Sequence, residues 1–526
     1  MKRRDFLRTT AAVGAALAAS DLVADLVAQS SGKRALESRF KGLSDVALRE
    51  AKRLGCSYAD VRFTRNVDDS VSVRDRIVTE GFGFGGRGRS ESAGFGVRVI
   101  HGGVWGFSSS PLVTEDEIRN TTRIAVEVAK ASAIAKRVDV KLVPVPAYTD
   151  YWAVPIKKDP FQVPLDEKIA FLMKVNEAVL KNKDVFRVQS VMAFDYEWKY
   201  LATSEGSYVE QEVWRTSPGF NVIARKGRAV KSRTFNVPPR TGGYEIVENS
   251  QMLENAERIA AEAVEHAGAP PVQPGIKDLV LTPSHAMLTI HEIIAHPTEL
   301  DRVLGYEANY AGTSFIKLAD VGKLKYGSKQ FNVTGDRTIP GGMCTIGYDD
   351  DGVKPMEFPI VRDGILVGLQ SNRETAHFLG LKQSHGCTFA TSWRNYPFLR
   401  MPNVHVDAGP AGSPTPEEII ADTKDGILID GRGSYSIDQQ RYNGQFGGDA
   451  FWEIKNGKVT RMVSDVTYNA ITTDFWNNLD AVSGKESWQM FGTTGDAKGQ
   501  PVQINHPSHG SSYLRIRRIM VGAAYT

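Results

Sequence analysis

One short segment of the 526-residue sequence gathers side chains that hold metals and move protons. It reads His291-Glu292-Ile293-Ile294-Ala295-His296, an H-E-x-x-x-H string followed by Pro297, Glu299 and Asp301. Neutral imidazoles suit Zn2+ at about 2.0–2.1 Å, and Glu292, beside the first of them, is placed to take a proton from water at such an ion. The better-known H-E-x-x-H motif spaces its histidines at i and i+4, on one helix face. Here they are five apart, about 140° round a regular helix at roughly 100° per residue, so an undistorted helix cannot aim both at one ion. Two devices restore convergence. Pro297 disfavours the α conformation in the residue before it and so ends or distorts the helix at His296. A π-type bulge within residues 293–295 has the same effect. The competing reading is a buried helix whose two histidines are satisfied by ordinary hydrogen bonds.

The elements that must position this string are readable on either side. A short buried strand is expected at 278–281 and a helix at 283–295. They come after Gly268-Ala269-Pro270-Pro271-Val272-Gln273-Pro274-Gly275, which cannot continue a helix and marks a boundary near residue 270. Upstream, apolar spacing predicts helices at 44–54 with Ser44 as N-cap, at 115–136, 166–180 and 254–267, with two or three strands over 194–224. After Gly335 short strands alternate with Gly, Asp and Asn. The fold class is α+β, in two domains: an N-terminal mixed α/β domain over 29–270 and a strand-rich C-terminal domain over 271–526 carrying the metal-site helix.

Composition narrows the function classes. Apolar residues at 41% and charged residues at 24% exclude extended disorder and a polytopic membrane protein. With 64 basic and 61 acidic residues the formal charge is +3, no excess of the kind that holds a phosphate backbone, so nucleic acid is not the expected partner. Three cysteines exclude a disulfide scaffold. Residues 1–28 read as a signal peptide of twin-arginine type: Arg3-Arg4-Asp5-Phe6-Leu7, then an uncharged run to Ala19 that is short against the roughly 20 residues of a membrane span. The expectation is an exported, periplasmic or extracytoplasmic bacterial protein with no stable membrane span once the signal is removed.

The metal-site string, together with several blocks downstream of it, resembles the TldD/PmbA family of metalloproteases. The likeness runs through Glu299 and Asp301, Gly312-Thr313-Ser314-Phe315, Asp349-Asp350-Asp351-Gly352, Arg400-Met401-Pro402-Asn403, Gly426-Ile427-Leu428-Ile429-Asp430-Gly431 and Lys498-Gly499-Gln500-Pro501. N-terminally, Gly94-Phe95-Gly96-Val97-Arg98-Val99-Ile100 is similar to the family's first domain. The resemblance implies a zinc-dependent peptidase in which His291 and His296 bind the ion and Glu292 is the catalytic acid/base. It also implies a two-domain subunit that dimerises, with itself or with a related subunit, around a chamber admitting unfolded peptides. The family's third ligand is a cysteine just before Lys-Gly-Gln. Registering on Lys498-Gly499-Gln500 puts Asp496 there, giving a site of two histidines and one carboxylate that also admits Mn2+ or Fe2+. Glu299 is a reserve candidate, as ligand or behind one. The alternative is a catalytically inactive peptide-binding or scaffold subunit with a degenerate metal site.

Other chemistry-bearing residues read as structural. His285 is a capping or packing histidine, and Cys387 a buried apolar residue rather than a nucleophile. His377, His385 and His405 show no ligand spacing, while His506 and His509 come soon enough after Asp496 to line the site. Tyr306, Tyr310 and Tyr348 read as packing residues. The glycines over 81–86 match G-x-G-x-x-G but lack the following helix, and read as hairpin turns.

Overall fold

A computed structural model describes residues 39–79 and 88–523. The expected leader and the glycine run over 81–86 lie outside the described residues. Strands β1 Tyr58–Arg74, β2 Ser90–His101, β3 Val104–Ser110, β4 Thr149–Ala153, β5 Val185–Thr203, β6 Tyr208–Lys226 and β7 Ala229–Asn236 build the first sheet. Its order is β3-β2-β1-β5-β6-β4, with β7 also on β6. All these pairs are antiparallel except β4 with β6.

Alternation along β1 explains how this sheet is buried twice. Val61, Phe63, Val67, Val71 and Val73 point to one face. There they meet helices α1 Arg39–Arg53, α2 Glu115–Ser132, α3 Leu165–Val179 and α4 Met252–Gly268 in two apolar clusters. The opposite face carries Arg62, Arg98, Lys199, Gln211 and Arg215. These side chains are buried against the C-terminal half rather than solvated. Arg62 donates to the carbonyls of Ser392 and Asn395, Arg98 to Asp351 at 2.6 Å, Lys199 to Asp350 at 3.0 Å, Gln211 to the Tyr348 carbonyl and Arg215 to that of Met343.

The C-terminal half is built on a second sheet. Its central strands are β8 Gly275–Leu281, β9 Asp425–Asp430, β10 Ala450–Lys455, β11 Val466–Ile471 and β12 Leu514–Ala523, in the order β11-β12-β8-β9-β10. Shorter strands extend both edges. Helix α5, Pro283–Ile290, leaves β8 through Thr282, is buried over nearly its whole length and packs against β8, β9 and the short strands Asn403–Val406, Gln489–Gly492 and Ser508–Ser511. The fold is α+β with more than one unit, as expected, and contains no closed barrel among the described residues.

Several local expectations change. Ser44 lies inside α1, fully buried, because the helix starts at Arg39. The helix expected over 115–136 stops at Ser132 and ends in a 3-10 turn, Ala133–Ala135. The strands expected over 194–224 are two strands of 19 residues each, β5 and β6.

Candidate metal centre

The helix that starts at Pro283 changes pitch at the histidines. Residues His291–Ala295 form a π turn, closed by the His296 amide donating to the His291 carbonyl at 3.1 Å. An i→i+5 bond brings residues five apart onto one side of the helix, and the two rings stand 4.6 Å apart, inclined at 73°. The widening is concentrated at Ile293, with φ −117° and ψ 16°. Each loosened carbonyl finds a side-chain donor: Ile293 from the Tyr326 hydroxyl at 2.7 Å, Ile294 from Thr298 at 2.7 Å, Ala295 from Gln370 at 2.5 Å. Of the two devices that could restore convergence, the bulge is the one present. His296 keeps helical angles, φ −62° and ψ −49°, so Pro297 does not break the helix there.

The bulge brings His291 and His296 to Asp496, at the start of the short strand Asp496–Lys498. Asp496 Oδ1 lies 3.8 Å from Nε2 of His291 and 3.6 Å from Nε2 of His296, and one donor atom from each residue falls within 4.8 Å of the others. Such spacings suit three bonds of about 2.0–2.2 Å to one ion. All three side chains are buried.

Hydrogen bonds behind His291 and Asp496 leave lone pairs facing inward. Nδ1 of His509 is 3.0 Å from the Val404 carbonyl, which can only accept, so this nitrogen carries the proton and Nε2 is the acceptor. Nδ1–H of His291 then donates to Nε2 of His509 at 2.8 Å, leaving His291 Nε2 unprotonated. Nδ1 of His296 lies 3.0 Å from Glu299 Oε2, which can only accept, and 3.0 Å from Arg302 Nη2, which can only donate. A proton on Nδ1 serves the Glu299 contact and one on Nε2 the Arg302 contact, and only the first leaves Nε2 with a lone pair for an ion. Burial, and after it neighbouring cationic groups, hold both imidazoles far below their usual pKa, in the neutral form a metal needs. Asp496 Oδ2 accepts from Arg400 at 2.8 Å, leaving Oδ1 for the histidines. Burial opposes its ionisation most, but the Arg400 charge, His296 and the Arg400 hydrogen bond together outweigh burial and lower its pKa.

Glu299 stands outside the donor triad. Its carboxylate accepts from His296, from Arg302 Nε at 2.6 Å and from Lys498 Nζ at 2.8 Å, an arrangement that orients a ligand histidine from behind. Glu292 is buried beside His291, with Oε2 against Nη1 of Arg441. Burial pushes its carboxyl up, and Arg441 pulls it back down.

Sequence reasoning names His291, Glu292, His296, Asp496 and Glu299, and all five are gathered here. It passes over Arg441 and Arg400, whose ion pairs span 149 and 96 residues, and Arg302, which pairs locally with Glu299. Arg400 and Lys498 do sit in the motif blocks, and a charged residue inside an apolar block is the available signal. His285 packs as expected, bonded to the Gly431 carbonyl at 2.9 Å and the Tyr468 hydroxyl at 2.8 Å. Cys387 is buried with its thiol pushed up to about 12, which removes it as a nucleophile. Tyr348 donates to Asp150, and Tyr306 and Tyr310 are exposed.

Fold and site together define a class: an α+β chain with a buried cluster of two histidines and one carboxylate beside a further glutamate, a donor set that hydrolytic metal sites use. The chain belongs to the PmbA/TldD metallopeptidase family. Family models match residues 59–129 as PmbA/TldA metallopeptidase domain 1, 158–269 as the central domain and 274–523 as the C-terminal domain. A protein of Methanothermobacter thermautotrophicus named "Metalloprotease" is 28% identical over 467 residues, covering 88% of this chain and 95% of the relative. A "Zinc metalloprotease TldD homolog" of Saccharolobus solfataricus is 23% identical over 485 residues, 90% of this chain and 98% of its own. Among solved structures, TldE from Thermococcus kodakarensis shares the fold with a TM-score of 0.69 at 15% identity, over 91% of this chain and 99% of the other. Among the described residues no helix is long and apolar enough to cross a membrane.

Proposed function

We propose that this chain is a metal-dependent peptidase, with His291, His296 and Asp496 holding one divalent cation and Glu292 moving the proton. The observation that supports this reading most is the convergence of donor atoms from three buried side chains next to a glutamate. A bound Zn2+ would supply Lewis acidity to a peptide carbonyl and make nearby water more acidic. The carboxylate ligand also suits Mn2+ or Fe2+.

The chain's own groups do the rest. His509 and Glu299 fix the two rings, Arg400 fixes Asp496, and burial keeps Glu292 basic enough to accept a proton from attacking water. Glu292 then returns that proton to the departing amine. The substrates are unfolded peptides or small proteins, the working unit is a dimer with a second copy or a related subunit, and the site of action is extracytoplasmic. Glu292→Gln should retain the metal and lower peptide hydrolysis by about 10²–10⁴-fold. Unchanged hydrolysis in that variant would show the base to be misassigned.

One observation favours the second reading, an inactive peptide-binding subunit: the Glu292 carboxylate is engaged by Arg441. A metal-loaded chain that hydrolyses no peptide would select it.

A further inference from the structure

Arg441 is held in an unusual way. It lies between the strands Tyr435–Ile437 and Asn443–Phe446 with φ +61°, a left-handed conformation that non-glycine residues seldom take. Bonds from three directions pin the turn in place. The Gln439 and Gln440 carbonyls accept from the Thr313 and Phe315 amides at 2.8 and 2.9 Å, the Arg441 carbonyl accepts from the Thr472 hydroxyl at 2.8 Å, and the Asp438 carboxylate accepts from the Tyr442 amide at 2.9 Å. Strain that its surroundings over-determine in this way clusters at sites where the placement of a side chain matters.

Among the described residues, four cationic side chains are bonded to the donor residues or to the glutamates beside them, and three of these are sealed in. Arg302 gives Nε to Glu299 and Nη1 to the Ala311 carbonyl, and its Nη2 lies 3.0 Å from Nδ1 of His296. Arg400 gives Nη2 to Asp496 and Nη1 to the Gln503 carbonyl, and Lys498 serves Glu299, Asp301 and the Leu399 carbonyl. None of the three side chains has exposed surface. Arg441 differs. Its side chain is 16% exposed, its contact with Glu292 uses Nη1 alone, and Nε and Nη2 make no hydrogen bond among the described residues. It is the one cation of the four that a substrate can reach and that still has donors to give.

We propose that Arg441 stabilises the oxyanion formed when a peptide carbonyl is attacked, as a second catalytic residue beside Glu292. This rests on the peptidase reading above. In that step the water oxygen bonds to the carbonyl carbon, a water proton passes to the Glu292 carboxylate, and the carbonyl π pair withdraws to its oxygen. One negative charge thus leaves Glu292 and appears on the substrate, beside the same guanidinium. The C–N bond then breaks, the nitrogen takes the proton from Glu292, and the carbonyl re-forms in the carboxyl group of one product. Nη2 is vacant while the carbonyl is planar and is filled when the oxyanion forms, so it holds the transition state more tightly than the substrate.

The test uses the full zinc-loaded chain, a set of unstructured octapeptides, and a phosphinic analogue of the best-cleaved octapeptide, whose tetrahedral phosphorus carries the additional oxygen. Arg441→Gln should lower kcat by about 10²–10³-fold, with KM changed by less than about 3-fold and zinc content equal to the parent's. Calorimetry gives a readout apart from turnover: the variant should bind the phosphinic analogue at least about 100-fold more weakly. A cycle with Glu292→Gln separates this role from placement of the base, because the same weakening should persist when Glu292 is already replaced. If Arg441→Gln does not fold, Arg441→Lys is read in the same cycle, where about 10-fold weaker binding of the analogue is expected of a single ammonium. Retained kcat, equal loss of affinity for octapeptide and analogue, or no further weakening in the Glu292→Gln background would overturn this inference and leave the peptidase reading standing. A metal-loaded parent that cleaves none of the octapeptides fails the peptidase reading, and this inference with it.

Discussion

Nδ1 of His291 donates to Nε2 of His509 at 2.8 Å, and the Val404 carbonyl fixes the His509 tautomer from the far side. A backbone oxygen on one strand thus decides which nitrogen of a histidine 218 residues away in sequence from His509 presents a lone pair to the centre. His509→Phe should weaken Zn2+ affinity by about 10–100-fold while the fold persists. Competition titration against a chromogenic chelator measures this, and unchanged affinity would remove His509 from the site.

Lys498 has no exposed side-chain surface and bridges Glu299 at 2.8 Å, Asp301 at 2.9 Å and the Leu399 carbonyl at 2.9 Å. Removing the cation leaves buried Asp301 without its ion-pair partner and Glu299 with Arg302 alone. Lys498→Met should destabilise the chain by about 3–5 kcal/mol in urea unfolding. A loss below about 1 kcal/mol would mean the network relaxes without it.

The π turn depends on partners for its freed carbonyls. Tyr326→Phe deletes the donor to the Ile293 carbonyl and should cost about 1–3 kcal/mol, the penalty of an unsatisfied buried acceptor. Because the same turn aims His296, Zn2+ affinity should fall in parallel. Loss of stability with unchanged affinity would separate the bulge from the site.

His285 supplies a pH prediction away from the donors. Burial lowers its pKa from 6.5 to about 4, so the unfolded chain binds the proton that the folded chain refuses between these values. Stability is therefore lost as pH falls from 6.5 to 4, by at most about 3 kcal/mol from this group. In His285→Gln the acid-induced loss over that window should be shallower than in the parent chain. Parallel profiles of ΔG against pH would refute it.

The range of each interaction decides how much of the structure is legible in the sequence. Helices such as α3 and α4 carry their own periodicity and fall within two residues of where the spacing puts them. The His291 and His296 pair and Glu292 are legible because the chemistry sits in one string, and its five-residue spacing poses the problem that the π turn solves. Which device solves it is not legible, since the stabilising donors Tyr326 and Gln370 lie 33 and 75 residues downstream of the carbonyls they meet. Asp496 is reached only by register on Lys498-Gly499-Gln500. Arg441 meets Glu292 across 149 residues, and nothing local in its turn announces an ion pair. The alternation along β1 is readable as strand, but not that its polar face is buried by the C-terminal half.

The central claim is that His291, His296 and Asp496 hold one divalent ion. Elemental analysis of the purified chain beside Asp496→Ala tests it most directly. One equivalent of zinc, or of another divalent metal, is expected in the parent chain and a small fraction of that in the variant. A parent chain without stoichiometric metal, or a variant that keeps its full complement, would contradict it.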